Sequence, residues 1–265
     1  MKTRAVLFDL DETLIVEEAS NHQAAQVTCD AANARHGLDR GALLRAIRER
    51  AVALWRAGPA IEYCRAIGIS SSEGLWGSFD GAAPELEILR RWSPLYRTEA
   101  WSAALGDLDV DDRALADELA VIYARDRGAP HLLFPESEPV LRALQPGFRL
   151  GLITNGAPEI QRVKIRATGL APYFESFTIS GEVGVGKPLK RIFEIALEQL
   201  GVAAAGAVMV GDSQSRDVRG AREAGIGSIW VNRTGARLSD RYPAPDAQVS
   251  DLSPLPELLA RPNHG

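Results

Sequence analysis

At 265 residues, with 46% hydrophobic and 25% charged residues, the chain has a globular composition, long enough for one large domain or a core with a smaller second domain. A formal net charge of −5 argues against a non-specific binder of nucleic-acid polymers, which needs a basic face, and 24 Gly and 15 Pro scattered along the chain argue against collagen-like order and long disorder. No apolar run reaches the roughly 18 residues of a membrane span, and that of "MKTRAVLFDL" is too short for a signal peptide, so the expectation is a soluble, cytoplasmic protein without a membrane partner.

Short apolar runs predict strands over Ala5–Leu10, Phe148–Thr154, Phe177–Ser180, Ala207–Asp212 and Ser228–Asn232. Helical patterns separate them, which is the alternation of a parallel sheet and gives an α/β fold: a Rossmann-like core flanked by helices. Between the first two strands, however, the chain carries about 120 residues with helical patterns only, such as Gly41–Gly58 and Asp112–Gly128. A parallel crossover needs about a dozen residues, so this interval is expected to be an inserted all-helical cap domain. The expected division is 1–15 and 136–265 for the core and 16–135 for the cap, with Ser70–Gly81 as a cap loop and Gly128–Pro139 as the return linker. Further along, Pro158 and Pro188 each open a helix, and Gly169 and Gly201 close them. The two cysteines, Cys29 and Cys64, fit neither a disulfide framework nor a metal-ligand spacing and are expected to be buried or free thiols.

The residues just beyond parallel strand ends gather in one crevice, where open α/β sheets bind ligands. Asp9 and Asp11 stand at the end of the first predicted strand, Thr154 and Asn155 at the end of the second, and Asp212 at the end of the fourth, so all five are expected to meet there. Two carboxylates two residues apart repel and resist desolvation, and joined by a third they invite a hard cation; a few carboxylates with room for water and phosphate suit Mg²⁺. A calcium loop starting at Asp9 fails, because its sixth position is Leu14 and its twelfth Ser20. Lys187 stands at the unfavourable end of a helix dipole, a placement that helix stability does not explain but that nearby carboxylates and a phosphate would. "LITNGAPEI" offers an anion a hydroxyl, an amide and a helix N-terminus, although Thr154 and Asn155 also suit ordinary N-capping. Asp217 either caps the helix that follows it or holds the metal or Lys187 from behind.

These residues resemble the haloacid dehalogenase superfamily, most of whose members are phosphatases. "DLDET", "ITNG", the lysine of "GKP" and "GDSQSRD" match its four motifs in order, and "ISGEVGVGKPLKRIFEIALEQLG" is similar to the branch of pyrimidine 5′-nucleotidases and N-acylneuraminate-9-phosphatases. The resemblance implies Asp9 as nucleophile forming an aspartyl-phosphate and Asp11 as general acid and base. It also implies Mg²⁺ held by Asp9, the Asp11 carbonyl and Asp212, with Thr154, the Asn155 backbone and Lys187 on the phosphate. Dehalogenating members lack an acid at the position of Asp11. Phosphonate-cleaving members lack it too and use a cap lysine, whereas no lysine lies between Ile15 and Pro135 here. The expected activity is hydrolysis of a small phosphorylated metabolite, such as a nucleotide or sugar phosphate, by a monomer or homodimer. A phosphomutase on the same core and a non-catalytic phosphometabolite-binding protein are the alternatives. In the inserted segment Trp55, Trp76, Trp92 and Trp101 are expected to fill its core, while Glu17, Asn21 and His22 follow the first motif closely enough to border the crevice.

Overall fold

The computed structural model describes residues 3–128 and 131–260. Residues 129–130 of the return linker and the chain ends assigned to the core, 1–2 and 261–265, lie outside the described residues. Six strands form one parallel sheet in the order β3-β2-β1-β4-β5-β6. They are β1 Ala5–Phe8, β2 Arg149–Thr154, β3 Ser176–Ile179, β4 Ala207–Gly211, β5 Gly227–Val231 and β6 Ala247–Val249. The central strands are continuous apolar runs because both faces of the sheet are covered, and every residue of β1 and β4 is buried. β1 lies between β2 and β4, so chain order reverses at its two edges, which is where such sheets open a crevice. The expected α/β class is therefore present.

Contacts divide the chain into two compact units. The first, Met1–Val16, Leu132–Asn155 and Thr168–Gly265, contains the sheet with α7 Ser137–Leu144, α9 Ser180–Val183, α10 Lys190–Leu200, α11 Arg219–Glu223 and α12 Leu255–Ala260. α10 begins two residues after Pro188 because Leu189 is still extended, with φ −62° and ψ 132°.

The second unit, Glu17–His131 and Gly156–Ala167, holds the helices inserted after β1: α1 Glu17–His36, α2 Arg40–Arg56, α3 Ile61–Ile67, α4 Ser71–Gly74, α5 Pro84–Gly106 and α6 Arg113–Arg127. It also takes α8 Pro158–Ala167, a segment that the sequence division gives to the core. The reason is packing: Ala157 and Ile160 are buried in the same apolar cluster as Leu86, Trp101 and Leu119 of the inserted helices. Ser71–Gly74, expected to be loop, forms one helical turn because Ser70 and Glu73 make a reciprocal capping box.

α5 runs through Pro94, which removes an N–H donor at an ordinary cost of about 3 kcal/mol. Aromatic packing offsets it: Trp92 and Tyr96 of α5 sit with ring centroids 5.5 and 5.2 Å from Trp55 and 4.9 Å from each other. Trp55 and Trp101 are core fillers as expected, whereas Trp76 is half-buried beneath the Arg127 guanidinium, 4.9 Å away. Glu17 and Asn21 are committed within this unit. Asn21 accepts from Arg127 Nε at 2.5 Å, and Glu17 pairs with both Arg127 and Lys164, the latter at 3.0 Å. Burial alone would raise the Glu17 carboxyl, but the two cations outweigh it and hold the group below its ordinary range.

Cys29 and Cys64 are free and lie in the apolar cluster of the second unit. Burial, and then Asp30 beside Cys29 and Glu73 beside Cys64, pushes both thiols up to about 12. The thiolate is the reactive form, so iodoacetamide at about pH 8 is expected to label neither cysteine in the folded protein and both in denaturant. Mass spectrometry reads the result, and rapid labelling of the folded chain would contradict this burial.

Candidate active site

The end of β1 turns a buried carboxylate into the crevice. Asp9 remains in register with β4, its N–H donating to Val210 O at 2.9 Å, and its Oδ1 accepts the Leu10 N–H at 2.7 Å. Asp11 follows in a tight turn in which Glu12 has φ +57° and Leu14 N donates to Leu10 O at 2.9 Å. Asp11 is half-buried, in contrast to Asp9.

At the end of β4, Gly211 permits a close approach that no side chain would. A Cβ there would lie 2.3 Å from Asp217 Oδ2, so glycine lets Asp217 tuck beneath the strand end. Asp217 belongs to a π-helical turn, Gln214–Val218, whose cap is Ser213, not Asp217. Asp217 is thus not the N-cap residue of that turn. The carboxylate instead accepts Ser213 N at 3.0 Å and the Lys187 ammonium at 2.7 Å.

Lys187 is buried, and its Nζ also lies 2.7 Å from Asp9 Oδ1, so one ammonium bridges two carboxylates. Its backbone is fixed as well. The Asn155 side chain accepts the Lys187 N–H at 2.8 Å and donates to the Lys187 carbonyl at 2.9 Å. That pairing, absent from any local pattern, replaces the N-capping considered for Asn155. Thr154 is the last residue of β2, and its hydroxyl lies 3.4 Å from the Asn155 carbonyl.

All the residues picked out at strand ends converge. Asp9, Asp11, Thr154, Asn155, Lys187 and Asp212 line one cavity of about 320 Å³, together with Glu12, Ser213, Ser215 and Arg216. Two supports were not foreseen. Asp212 N donates to Thr13 Oγ1 at 3.1 Å, and Trp230 Nε1 donates to the Asp212 carbonyl at 2.7 Å, so the loop after β4 is held from both the β1 and β5 sides. Thr13 was visible as the last residue of "DLDET"; Trp230 reads as an ordinary strand aromatic.

The electrostatics call for a cation. Carboxylate oxygens of Asp9, Asp212 and Asp217 lie within 4.8 Å of one another, and the one ammonium is already shared by Asp9 and Asp217. Asp212 makes no ion pair among the described residues. Burial, against the pull of Lys187 and with Asp217 and Asp11 nearby, pushes Asp9 up to about 7; burial and the charges of Asp9 and Asp217 push Asp212 up to about 8. Burial alone would lower Lys187, but Asp217 and Asp9 hold it above its ordinary value. A hard divalent ion facing Asp9 and Asp212 fits this donor set, because oxygen ligands of like charge otherwise hold protons near neutrality. Asp217, whose two oxygens already accept from Lys187 and Ser213, is the least available of the three.

Comparison with known proteins agrees with the fold. The sequence pattern of the haloacid dehalogenase-like hydrolases matches residues 3–225. The phosphoserine phosphatase of Thermus thermophilus is 39% identical over 94% of this chain and 96% of its own length, and the N-acylneuraminate-9-phosphatase of Rattus norvegicus is 28% identical over 97% and 94%. Among solved structures, the magnesium-bound HAD-hydrolase YfnB of Bacillus subtilis shares the fold with a TM-score of 0.68 at 21% identity, covering 98% of this chain and 100% of that one.

Asn155→Ala strips both backbone groups of Lys187 of their partners, and each buried group left unsatisfied costs about 1–3 kcal/mol. Urea denaturation is expected to show a loss of about 2–6 kcal/mol for the two groups together; an unchanged midpoint would mean that the clamp carries no stability.

Proposed function

The chain belongs to the haloacid dehalogenase-like hydrolase family, and on that premise we propose that it is a Mg²⁺-dependent phosphatase of small phosphomonoesters. The observation that carries the reading is the Lys187 ammonium 2.7 Å from Asp9 Oδ1, in a cavity also lined by Asp11, Thr154 and Asp212.

In this reading Asp9 is the nucleophile. Its Oδ1 is occupied by Lys187 and the Leu10 N–H, which leaves Oδ2 to attack phosphorus while the ester oxygen departs. Asp11 gives its proton to that oxygen as the bond breaks, so the leaving group exits as a neutral alcohol and Asp9 carries the phosphoryl group. Asp11, now ionised, takes a proton from water, whose oxygen attacks the same phosphorus and releases inorganic phosphate and free Asp9. Splitting the hydrolysis this way replaces one difficult displacement by two easier ones. Little covalent work falls to the remaining residues, because phosphoryl transfer depends on placement and charge compensation. The Thr154 hydroxyl and Asn155 backbone orient the phosphoryl oxygens, and Lys187 offsets charge between them and Asp9. The Asp9 and Asp212 carboxylates with the Asp11 carbonyl would hold Mg²⁺, which supplies Lewis-acid neutralisation of the phosphate. The magnesium bound by YfnB supports that choice of ion. Asp217 acts by holding Lys187. In this assignment the sheet unit is catalytic and the inserted helices serve as cap.

Similarity over nearly the full length to a phosphoserine phosphatase makes phosphoserine the first substrate to test, followed by sugar phosphates and nucleotides. Phosphate release from 4-nitrophenyl phosphate is expected to need Mg²⁺ and to vanish in excess chelator. Asp9→Asn is expected to lower kcat by about 10³-fold or more and Asp11→Asn by about 10²- to 10⁴-fold. Turnover retained by Asp9→Asn would remove the nucleophile from this scheme, and an isomeric phosphate ester in place of inorganic phosphate would turn the assignment to a mutase.

A further inference from the structure

Arg233 lies two residues beyond the end of β5, far in sequence from either motif acid, yet its guanidinium is spent on the turn that follows Asp11. Nη2 donates to the Thr13 carbonyl at 2.8 Å and Nε to the Glu12 carbonyl at 3.2 Å. The same Nη2 pairs with Glu136 Oε1 at 2.7 Å, and the guanidinium carbon stands 3.4 Å from the centre of the Phe134 ring. Both charged side chains are mostly buried, at 16% and 18% exposure, so the pair is not a solvated surface bridge.

The turn has a local cost that this anchor addresses. Glu12 is a non-glycine residue at φ +57°, in the left-handed region, and the carbonyls of Glu12 and Thr13 point to one side, where a single planar cation meets both. Asp9 needs no such help: its backbone is in register with β4, and its carboxylate is fixed by Leu10 N–H and Lys187. Asp11 is half-buried and begins that turn, with an isolated bridge to Ile15. The two acids are thus held by separate devices.

We propose that Arg233 is a positioning residue for proton donation: by clamping the Glu12 and Thr13 carbonyls it fixes where Asp11 presents its carboxyl to the leaving-group oxygen. This rests on the reading of Asp11 as the general acid. It predicts a defect that depends on the leaving group. An alkyl ester such as benzyl phosphate needs its oxygen protonated, whereas 4-nitrophenolate leaves without it.

The test compares wild type, Arg233→Ala and Arg233→Lys at saturating Mg²⁺, with kcat/KM measured for both esters and folding checked by thermal melting. kcat/KM reports the first phosphoryl transfer, before Asp11 acts as base. Arg233→Ala is expected to lose about 10²-fold on benzyl phosphate and under about tenfold on 4-nitrophenyl phosphate. Arg233→Lys, which keeps the charge but not the planar fork, is expected to recover part of the benzyl loss. If Arg233→Ala does not fold, Arg233→Lys carries the comparison, with the same ester selectivity and a smaller loss. Equal losses on the two esters, or none on either, would overturn the proposal. Wild-type protein that releases phosphate from neither ester would instead overturn the phosphatase reading beneath it.

Discussion

One buried ammonium organises the crevice. Lys187 Nζ stands 2.7 Å from a carboxylate oxygen of Asp9 and 2.7 Å from one of Asp217, with all three side chains removed from solvent. Burying a lysine is unfavourable unless it is paired and hydrogen-bonded, and burying either acid beside the other is unfavourable without the lysine. The neighbouring sequence follows from that triad. Gly211 is small so that Asp217 can approach, Asn155 holds the Lys187 backbone with its amide, and Ser213 caps the turn while donating its own N–H to Asp217.

The same triad leaves the site unbalanced. One cation serves two acids, and Asp212 stands within the cluster as a third. With only the protein's own side chains, burial and mutual repulsion push both Asp9 and Asp212 well above the ordinary carboxylate range. A divalent cation would offset that excess of acid and, in the proposed reading, would also attract an anionic substrate.

Much of this was legible from sequence, for a definite reason. Strands covered on both faces read as continuous apolar runs, and a polar residue ending such a run marks a crevice position, which is how Asp9, Thr154 and Asp212 could be placed together. What escaped depends on partners remote in the chain. Nothing in "WVNR" announces that Arg233 meets Glu12 and Thr13 more than 200 residues away, or that Asp212 leans on Thr13 across 199 residues. β6, three partly exposed residues including Gln248, has too weak an alternation to be seen, and Pro94 hides α5 because only the Trp55, Trp92 and Tyr96 cluster shows why the helix survives it. The placement of α8 with the inserted helices is likewise a packing outcome, since its punctuation by Pro158 and Gly169 is indifferent to which core Ile160 enters.

"DLDET" therefore encodes two environments in three residues. Strand register and a lysine immobilise Asp9, one of whose carboxylate oxygens makes the contacts to Leu10 and Lys187 while the other is left for the proposed attack. A single step further, the chain leaves the strand, Glu12 turns left-handed, and Asp11 is carried on a turn that remains half open to solvent. A nucleophile profits from being held as a charged, desolvated group against a cation. A proton carrier must instead exchange with the leaving group and with water, which a half-open turn allows. Both acids lie beyond Phe8, the last residue of β1, but only Asp9 still pairs with β4 through its N–H on Val210 O, so the proposed division of labour follows from where that pairing ends.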